Sequence, residues 1–95
     1  MAEAFPKTEK IWMDGKFVNW DDCKIHVLSH SLHYGSSIFE GIRCYNTAKG
    51  PAVFRLEEHA ERLLKSCKIF MIDLQYSKKE IIDATKETIR INKVK

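Results

Sequence analysis

Two charged side chains stand close together in an otherwise apolar and aromatic stretch, residues 38–45. Glu40 separates Phe39 from Gly41, and Arg43 follows between two apolar residues. A guanidinium that leaves the surface needs an acceptor. The pattern indicates one of two arrangements. The first is a pocket with aromatic walls, in which the backbone comes close at Gly41 and Arg43 faces an anion. The second is a strand with one face exposed to solvent. In the second case Arg43 pairs with Glu40 or with water.

A second candidate lies further along the chain, on one edge of a predicted helix. His59, Arg62 and Ser66 share that edge, and the planar fork of an arginine suits a phosphate. Glu58, however, stands four residues before Arg62, and exposed ion pairs of this kind are commoner than phosphate sites. The residues alone therefore favour an ion pair, with phosphate binding as the alternative.

Other chemical signatures are weak or missing. His26, His30 and His33 have the spacing i, i+4, i+7, but no acid or cysteine completes a ligand set, so we expect no metal site. The sequence has no glycine-rich phosphate loop and no nucleophile elbow. None of its lysines lies in an apolar setting that would activate it for covalent chemistry. We therefore expect no complete catalytic set within these residues.

Composition narrows the class of protein. The chain has 95 residues, of which 44% are hydrophobic and 31% charged, as is typical of one small globular domain. A net charge of +3 without aromatic–basic interleaving argues against a nucleic-acid partner. No apolar run approaches membrane length and the first residues do not resemble a signal peptide, so we expect a cytoplasmic protein without a membrane partner.

The cysteines favour the same compartment. Cys23, Cys44 and Cys67 are odd in number and widely spaced, which argues against a disulfide framework. Cys44 and Cys67 lie in apolar patterns, and we expect both to be small core residues.

Hairpin signals dominate the first half of the chain. Asp14-Gly15 between two apolar runs is typical of a type I′ turn. A period-two pattern predicts a third strand over residues 24–28, followed by a turn or a single helical turn over residues 29–35. A further strand over residues 41–45 is predicted to pair with residues 52–55.

From Leu56 the apolar period becomes helical. An apolar stripe predicts a first helix, and Ser77 with Glu80 predicts a capping box that starts a second. That second helix should reach Arg90 or Ile91, with Asn92 as its C-cap. Strands first and helices after predict an α+β fold, a small antiparallel sheet of hairpin strands with two C-terminal helices packed on it. The residues of the first stripe are Leu56, Ala60, Leu63, Leu64 and Cys67.

Nearly the whole chain resembles the N-terminal part of branched-chain amino acid aminotransferases, which are class IV (fold type IV) pyridoxal-phosphate enzymes. The resemblance rests on the runs Ile-Trp-Met-Asp-Gly at 11–15, Lys-Ile-His-Val-Leu-Ser-His-Ser-Leu-His-Tyr-Gly at 24–35 and Phe-Glu-Gly-Ile-Arg-Cys-Tyr at 39–45. It extends through Gly-Pro-Ala-Val-Phe-Arg at 50–55 and Glu-His-Ala-Glu-Arg-Leu at 58–63.

The resemblance implies roles for individual residues. Arg62 matches the arginine that binds the phosphate of pyridoxal 5'-phosphate, which favours the phosphate over the ion pair. Phe39, Gly41 and Arg43 match residues of the substrate pocket, and Tyr34 matches a tyrosine that reaches the active site of a neighbouring subunit. The implied reaction moves the amino group of leucine, isoleucine or valine to 2-oxoglutarate in a homo-oligomer.

The resemblance also implies what residues 1–95 do not supply. In the family the Schiff-base lysine lies in a large catalytic domain downstream, and no lysine here matches it. We therefore expect residues 1–95 to be the small domain, with no catalytic residue of their own and no activity alone. The alternatives are the small domain of a D-amino acid transaminase or an aminodeoxychorismate lyase, or a stand-alone binding and interaction module.

Overall fold

The computed structural model describes residues 7–93 as strands, helices and their connections. Two strands and a short 3-10 helix come first, then a one-turn helix, two more strands and two long helices. In chain order these elements are β1 (Lys10–Met13), β2 (Lys16–Asn19), the 3-10 helix (Trp20–Asp22), α1 (His30–Tyr34), β3 (Cys44–Thr47), β4 (Gly50–Val53), α2 (Leu56–Ile69) and α3 (Lys78–Ile91).

The first hairpin is the predicted one. β1 and β2 pair antiparallel around Asp14 and Gly15, whose φ angles are 52° and 83°. Both values are positive, as a type I′ turn requires, and glycine reaches such angles without the clash that a Cβ causes. The ladder is extended by a hydrogen bond from the Trp20 backbone N–H to the Glu9 carbonyl at 3.0 Å.

The prediction of a strand over residues 24–28 is wrong. The structure has a turn here instead, in which the Ser29 N–H donates to the His26 carbonyl at 2.9 Å. The imidazole Nδ1 of His26 also accepts from the Leu28 N–H at 3.0 Å. A side chain that satisfies a nearby backbone donor competes with strand formation, and the period-two pattern does not reveal that competition. The one-turn helix α1 that follows is as predicted.

The second hairpin is present with shifted ends. β3 begins three residues later than predicted, at Cys44, and pairs antiparallel with β4, which begins at Gly50. The two hairpins form separate two-stranded sheets. Every residue of β3 is exposed, so the expectation that Cys44 is a core residue is wrong.

The core lies along the helix α2. Leu56, Ala60 and Cys67 are its buried residues, and they lie on the predicted apolar stripe. α3 packs against both α2 and β1, and Lys78 at its start bridges two acids of α2, Glu57 at 3.3 Å and Glu61 at 3.0 Å. The α+β class is confirmed, as is the burial of Cys67.

The predicted caps of α3 are also confirmed. The Ser77 hydroxyl accepts from the Glu80 N–H at 3.1 Å and the Glu80 carboxylate accepts from the Ser77 N–H at 3.1 Å. Asn92 ends the helix, and its side chain reaches across to β1. No helix in residues 7–93 is long and apolar enough to cross a membrane.

Candidate functional site

Arg62 forms a two-point ion pair with Glu40, 22 residues earlier in the chain. Nε donates to Oε2 of the carboxylate at 2.7 Å, and Nη2 donates to Oε1 at 2.6 Å. This parallel arrangement of a guanidinium and a carboxylate is strong and strongly directional. Glu58, the partner that the sequence favoured, instead accepts from Arg55 Nε at 2.9 Å. The ion pair at Arg62 is therefore a tertiary contact and not a contact within the helix.

Glu40 is well sheltered and also contacts a histidine. Its side chain is 10% exposed, and the Nδ1 atom of His59 lies 2.8 Å from Oε1. An ionised carboxylate only accepts hydrogen bonds, so Nδ1 carries the proton that His59 donates. The 3.3 Å approach of Arg62 Nη2 to the same Nδ1 then joins two donors and is a contact rather than a hydrogen bond.

The charge of Glu40 is stabilised by these donors. The hydrogen bond from Arg62, followed by that from His59, lowers the pKa of Glu40 from 4.5 to about 2, against a smaller opposing effect of burial. The same ion pair raises the pKa of Arg62. Both groups are therefore charged throughout the neutral range.

Local backbone structure brings the three residues together. His59 and Arg62 lie three positions apart on α2, so both side chains emerge on one edge of that helix. Arg55 caps the start of α2 with a left-handed φ of 53°, an uncommon conformation for a residue with a Cβ. Just before α2, the Phe54 N–H donates to the Arg43 carbonyl at 3.1 Å, which extends the second hairpin back to residue 43.

A cavity of about 320 Å³ adjoins the exposed side of this cluster. It is lined by Arg55, Glu58, His59 and Arg62. Arg62 is 64% exposed even though it is paired, so its guanidinium faces solvent on the side away from Glu40. Three of its five N–H groups take no part in the ion pair with Glu40. The arrangement can accept an anion beside a cation that is already oriented.

The structure does not bring the predicted cofactor and substrate residues into one enclosed pocket. Arg62 contacts residue 40, directly between Phe39 and Gly41. Phe39 is 86% exposed, and Tyr34, Gly41 and Arg43 are exposed as well. None of the four lines the cavity beside Arg62. Apart from Gly41 and its two chain neighbours, no heavy atom of residues 7–93 would lie within 4 Å of a Cβ added at Gly41, so the expected close backbone approach is not made there.

The functional residue that sequence reasoning overlooked is Glu40 as the partner of Arg62. A signal was present, because Glu40 is the only acid between Asp22 and Glu57. Its partners could not be identified by spacing, since they lie on a helix that begins sixteen residues later. In the described part of the chain, no group of three histidine, cysteine or acidic side chains is arranged to hold a metal ion.

The chain is similar in sequence and in fold to known aminotransferases. The amino-transferase class IV family matches residues 37–95, which is more than half of the sequence. The chain belongs to this family. Among curated relatives, the branched-chain-amino-acid aminotransferase of Escherichia coli K12 is 50% identical over 86 residues, 90% of this chain. That alignment covers 28% of the relative's length, so the chain spans a little over a quarter of such a class IV enzyme.

Solved class IV structures share the fold. The branched-chain amino acid aminotransferase of Escherichia coli matches 92% of this chain with a TM-score of 0.89 and 49% identity, over 30% of its own length. A second branched-chain amino acid aminotransferase, from T.th., is complexed with N-(5'-phosphopyridoxyl)-L-glutamate and matches with a TM-score of 0.88 at 49% identity. The match covers 92% of this chain and 29% of the second enzyme. That enzyme has also been solved complexed with 4-methylvaleric acid and with pyridoxamine 5'-phosphate.

Proposed function

We propose that residues 1–95 are the N-terminal small domain of a branched-chain amino acid aminotransferase that uses pyridoxal 5'-phosphate. The proposed reaction transfers the amino group of leucine, isoleucine or valine to 2-oxoglutarate. The observation that carries the proposal is the Arg62 guanidinium, held by Glu40 at the edge of a cavity in a chain that belongs to the class IV family.

The residues around Arg62 fit a phosphate. The guanidinium is oriented by Glu40, keeps three N–H groups outside that ion pair, and adjoins a cavity of about 320 Å³. Arg55 adds a second cation at the same cavity, although it is paired with Glu58. When bound, the cofactor supplies the electron sink for amino-group transfer, and this domain supplies binding and orientation. We propose Arg62 as the residue that binds the cofactor phosphate.

The substrate side is proposed to involve Tyr34, Phe39, Gly41 and Arg43. Phe39 offers an apolar surface for an aliphatic side chain, and Arg43 offers a cation for a carboxylate. A site with both features suits an aliphatic amino acid and an acidic partner in turn. The T.th. relative, solved with 4-methylvaleric acid and with a phosphopyridoxyl glutamate, supports this pair of substrates.

The covalent and proton-transfer chemistry is proposed to come from polypeptide outside these residues. No lysine of the chain matches the lysine that such enzymes use, so residues 1–95 are expected to be inactive alone. The proposed setting is a homo-oligomer in the cytoplasm, where three free cysteines are in keeping with a reducing compartment.

The phosphate assignment is tested by calorimetric titration with pyridoxamine 5'-phosphate. This probe carries the phosphate but no aldehyde, so it cannot condense with surface lysines. Replacement of Arg62 by alanine should weaken binding about 10- to 100-fold, the range associated with hydrogen bonds to a charged group. Arg90→Ala is the matched control, because Arg90 is an exposed arginine paired with Glu87 on α3.

Three outcomes separate the possibilities. A selective loss in Arg62→Ala supports the phosphate site, and phosphate-free pyridoxamine should then bind weakly to every variant. Equal losses in Arg62→Ala and Arg90→Ala would indicate general charge attraction instead. Unchanged binding in Arg62→Ala would contradict the assignment of Arg62.

The reaction class is tested by grafting. Residues 7–93 would replace the matching segment of the Escherichia coli branched-chain enzyme, and leucine-dependent conversion of 2-oxoglutarate to glutamate would be measured. We expect activity in the graft and none above a blank in the isolated 95-residue chain. A folded, cofactor-loaded graft that uses D-alanine but not leucine would favour a D-amino acid transaminase. Glutamate formation by the isolated chain would contradict the assignment of catalysis to residues outside it.

A further inference from the structure

Glu40 occupies a place between two groups of residues with different proposed tasks. It lies between Phe39 and Gly41, on the segment proposed to contact substrate, and its carboxylate binds Arg62 and His59 on the helix proposed to contact phosphate. Within residues 7–93, it is the side chain whose hydrogen bonds connect these two segments.

The burial of the pair is uneven. Glu40 is 10% exposed while Arg62 is 64% exposed, so the carboxylate faces inward and the guanidinium faces solvent. A carboxylate in that position is sheltered from a ligand in solution, but it still determines the plane of the guanidinium in front of it. Its lowered pKa keeps it ionised, and therefore an acceptor, across the neutral range.

We propose that Glu40 is a positioning residue, which orients the Arg62 guanidinium for a phosphate and holds the Phe39–Gly41 segment against α2. This inference rests on the proposed function and adds to it a residue that does not itself touch the cofactor. Its physical basis is that a long, exposed arginine loses side-chain freedom when it binds a ligand. Glu40 removes much of that freedom before the ligand arrives.

A purely electrostatic view makes the opposite prediction. Glu40 is an anion close to the proposed phosphate, so its neutralisation should reduce repulsion and strengthen phosphate binding. The positioning role predicts that neutralisation weakens binding, because Arg62 is released into several rotamers. The sign of the change therefore separates the two views without any reference to catalytic activity.

The experiment measures two properties of Glu40→Gln and Glu40→Asp in the 95-residue chain. One is the affinity for pyridoxamine 5'-phosphate, with pyridoxamine as the phosphate-free comparison. The other is the NMR signal of the Arg62 Nε–H group, which is sharp and slow to exchange when the side chain is held. Glu87→Gln is the matched control, since Glu87 holds Arg90 at 3.2 Å in an exposed pair away from the site.

The expected result in Glu40→Gln is an affinity for pyridoxamine 5'-phosphate that falls about two- to tenfold, the cost of ordering one long side chain. The Arg62 Nε–H signal should broaden or disappear. Glu40→Asp, which keeps the charge on a shorter stem, should recover part of both properties. Pyridoxamine binding and the Glu87→Gln variant should show neither change.

Tighter binding of the phosphate probe to Glu40→Gln would overturn the proposal in favour of simple repulsion. An unchanged Arg62 signal in both Glu40 variants would overturn it as well, whatever the affinity. If the unsubstituted chain has no affinity for the phosphate probe, the proposed phosphate site fails. The NMR comparison would then still decide whether Glu40 orients Arg62.

Discussion

The first hairpin and the middle segment are held to the helices by very different means. The N-terminal hairpin region is joined to the end of α3 by three hydrogen bonds of one side chain, Asn92, to the backbone of Glu9 and Lys10. A ring contact at 5.0 Å between Trp12 and Tyr76, which precedes α3, adds a second link from β1. The segment 24–43, by contrast, is connected to the helices through the carboxylate of Glu40.

Apolar burial shows the same contrast. Leu56, Ala60 and Cys67 on α2 are buried, whereas Val27 is 69% exposed and Leu28 is 71% exposed in the middle segment. Burial of apolar surface is the main source of stability, so the helices and the first hairpin should dominate the free energy of unfolding. The residues proposed to contact substrate therefore lie on the part of the chain that contributes least to stability, and the ion pair of Glu40 connects that part to Arg62 on α2.

The largest expected effect comes from a pair of leucines, one in each region. Leu56→Ala should lower the free energy of unfolding by about 2–4 kcal/mol, because it leaves a cavity in the core. Leu28→Ala, its matched control, should change stability by no more than about 0.5 kcal/mol. Urea denaturation followed by circular dichroism measures both. Similar losses in the two variants would show that the middle segment is packed in solution.

Asn92→Ala should have the next largest effect. Its removal leaves the Glu9 and Lys10 N–H groups and the Lys10 carbonyl without these bonds, at a cost of about 1–3 kcal/mol. Asn46 on β3 is an exposed asparagine, and Asn46→Ala should be nearly neutral. Hydrogen exchange should also accelerate in β1 of Asn92→Ala and not in β3. Unchanged exchange in β1 would contradict the role of this junction.

Alanine substitution of two glycines, one in each region, should give a smaller difference in stability than the two preceding comparisons. Gly15 has φ of +83°, and an added Cβ would lie 3.1 Å from the Tyr76 hydroxyl oxygen, so Gly15→Ala should cost about 1 kcal/mol. Gly41 has neither constraint within the described residues, and Gly41→Ala should stay within about 0.5 kcal/mol of the parent. The thermal midpoints of the two variants provide the test. An equal loss at Gly41 would contradict the open space around that residue.

The smallest effect on stability should appear only when the pH is lowered. The pKa of Glu40 is lowered to about 2, so its stabilising contribution is complete above its ordinary value of 4.5 and is lost as the pH falls towards 2. The difference in urea midpoint between the parent and Glu40→Gln should therefore be constant near neutral pH and shrink in acid. A difference that grows on acidification would have the wrong sign for this linkage.

Several features were predictable from sequence because their causes are local. The turn at Asp14-Gly15, the capping box at Ser77 and the stripe on α2 depend on residues a few positions apart. Residues 24–28 show the limit of such reasoning, since their alternating pattern is typical of a strand but no strand among the described residues pairs with them. The resemblance to class IV enzymes, carried by short motifs, identified the family that the comparisons then confirmed.

The sequence by itself determined the two long helices and the first hairpin, because backbone preferences and apolar periodicity act over a few residues. Its short motifs identified the family through their resemblance to class IV enzymes. Only the tertiary structure decided which acid pairs with Arg62, because folding brings Glu40 to it across 22 positions and directs Glu58 to Arg55. The physical reason is that charge pairing depends on distance in space, which for this site is set by the folded path of the chain from residue 40 through the second hairpin to α2.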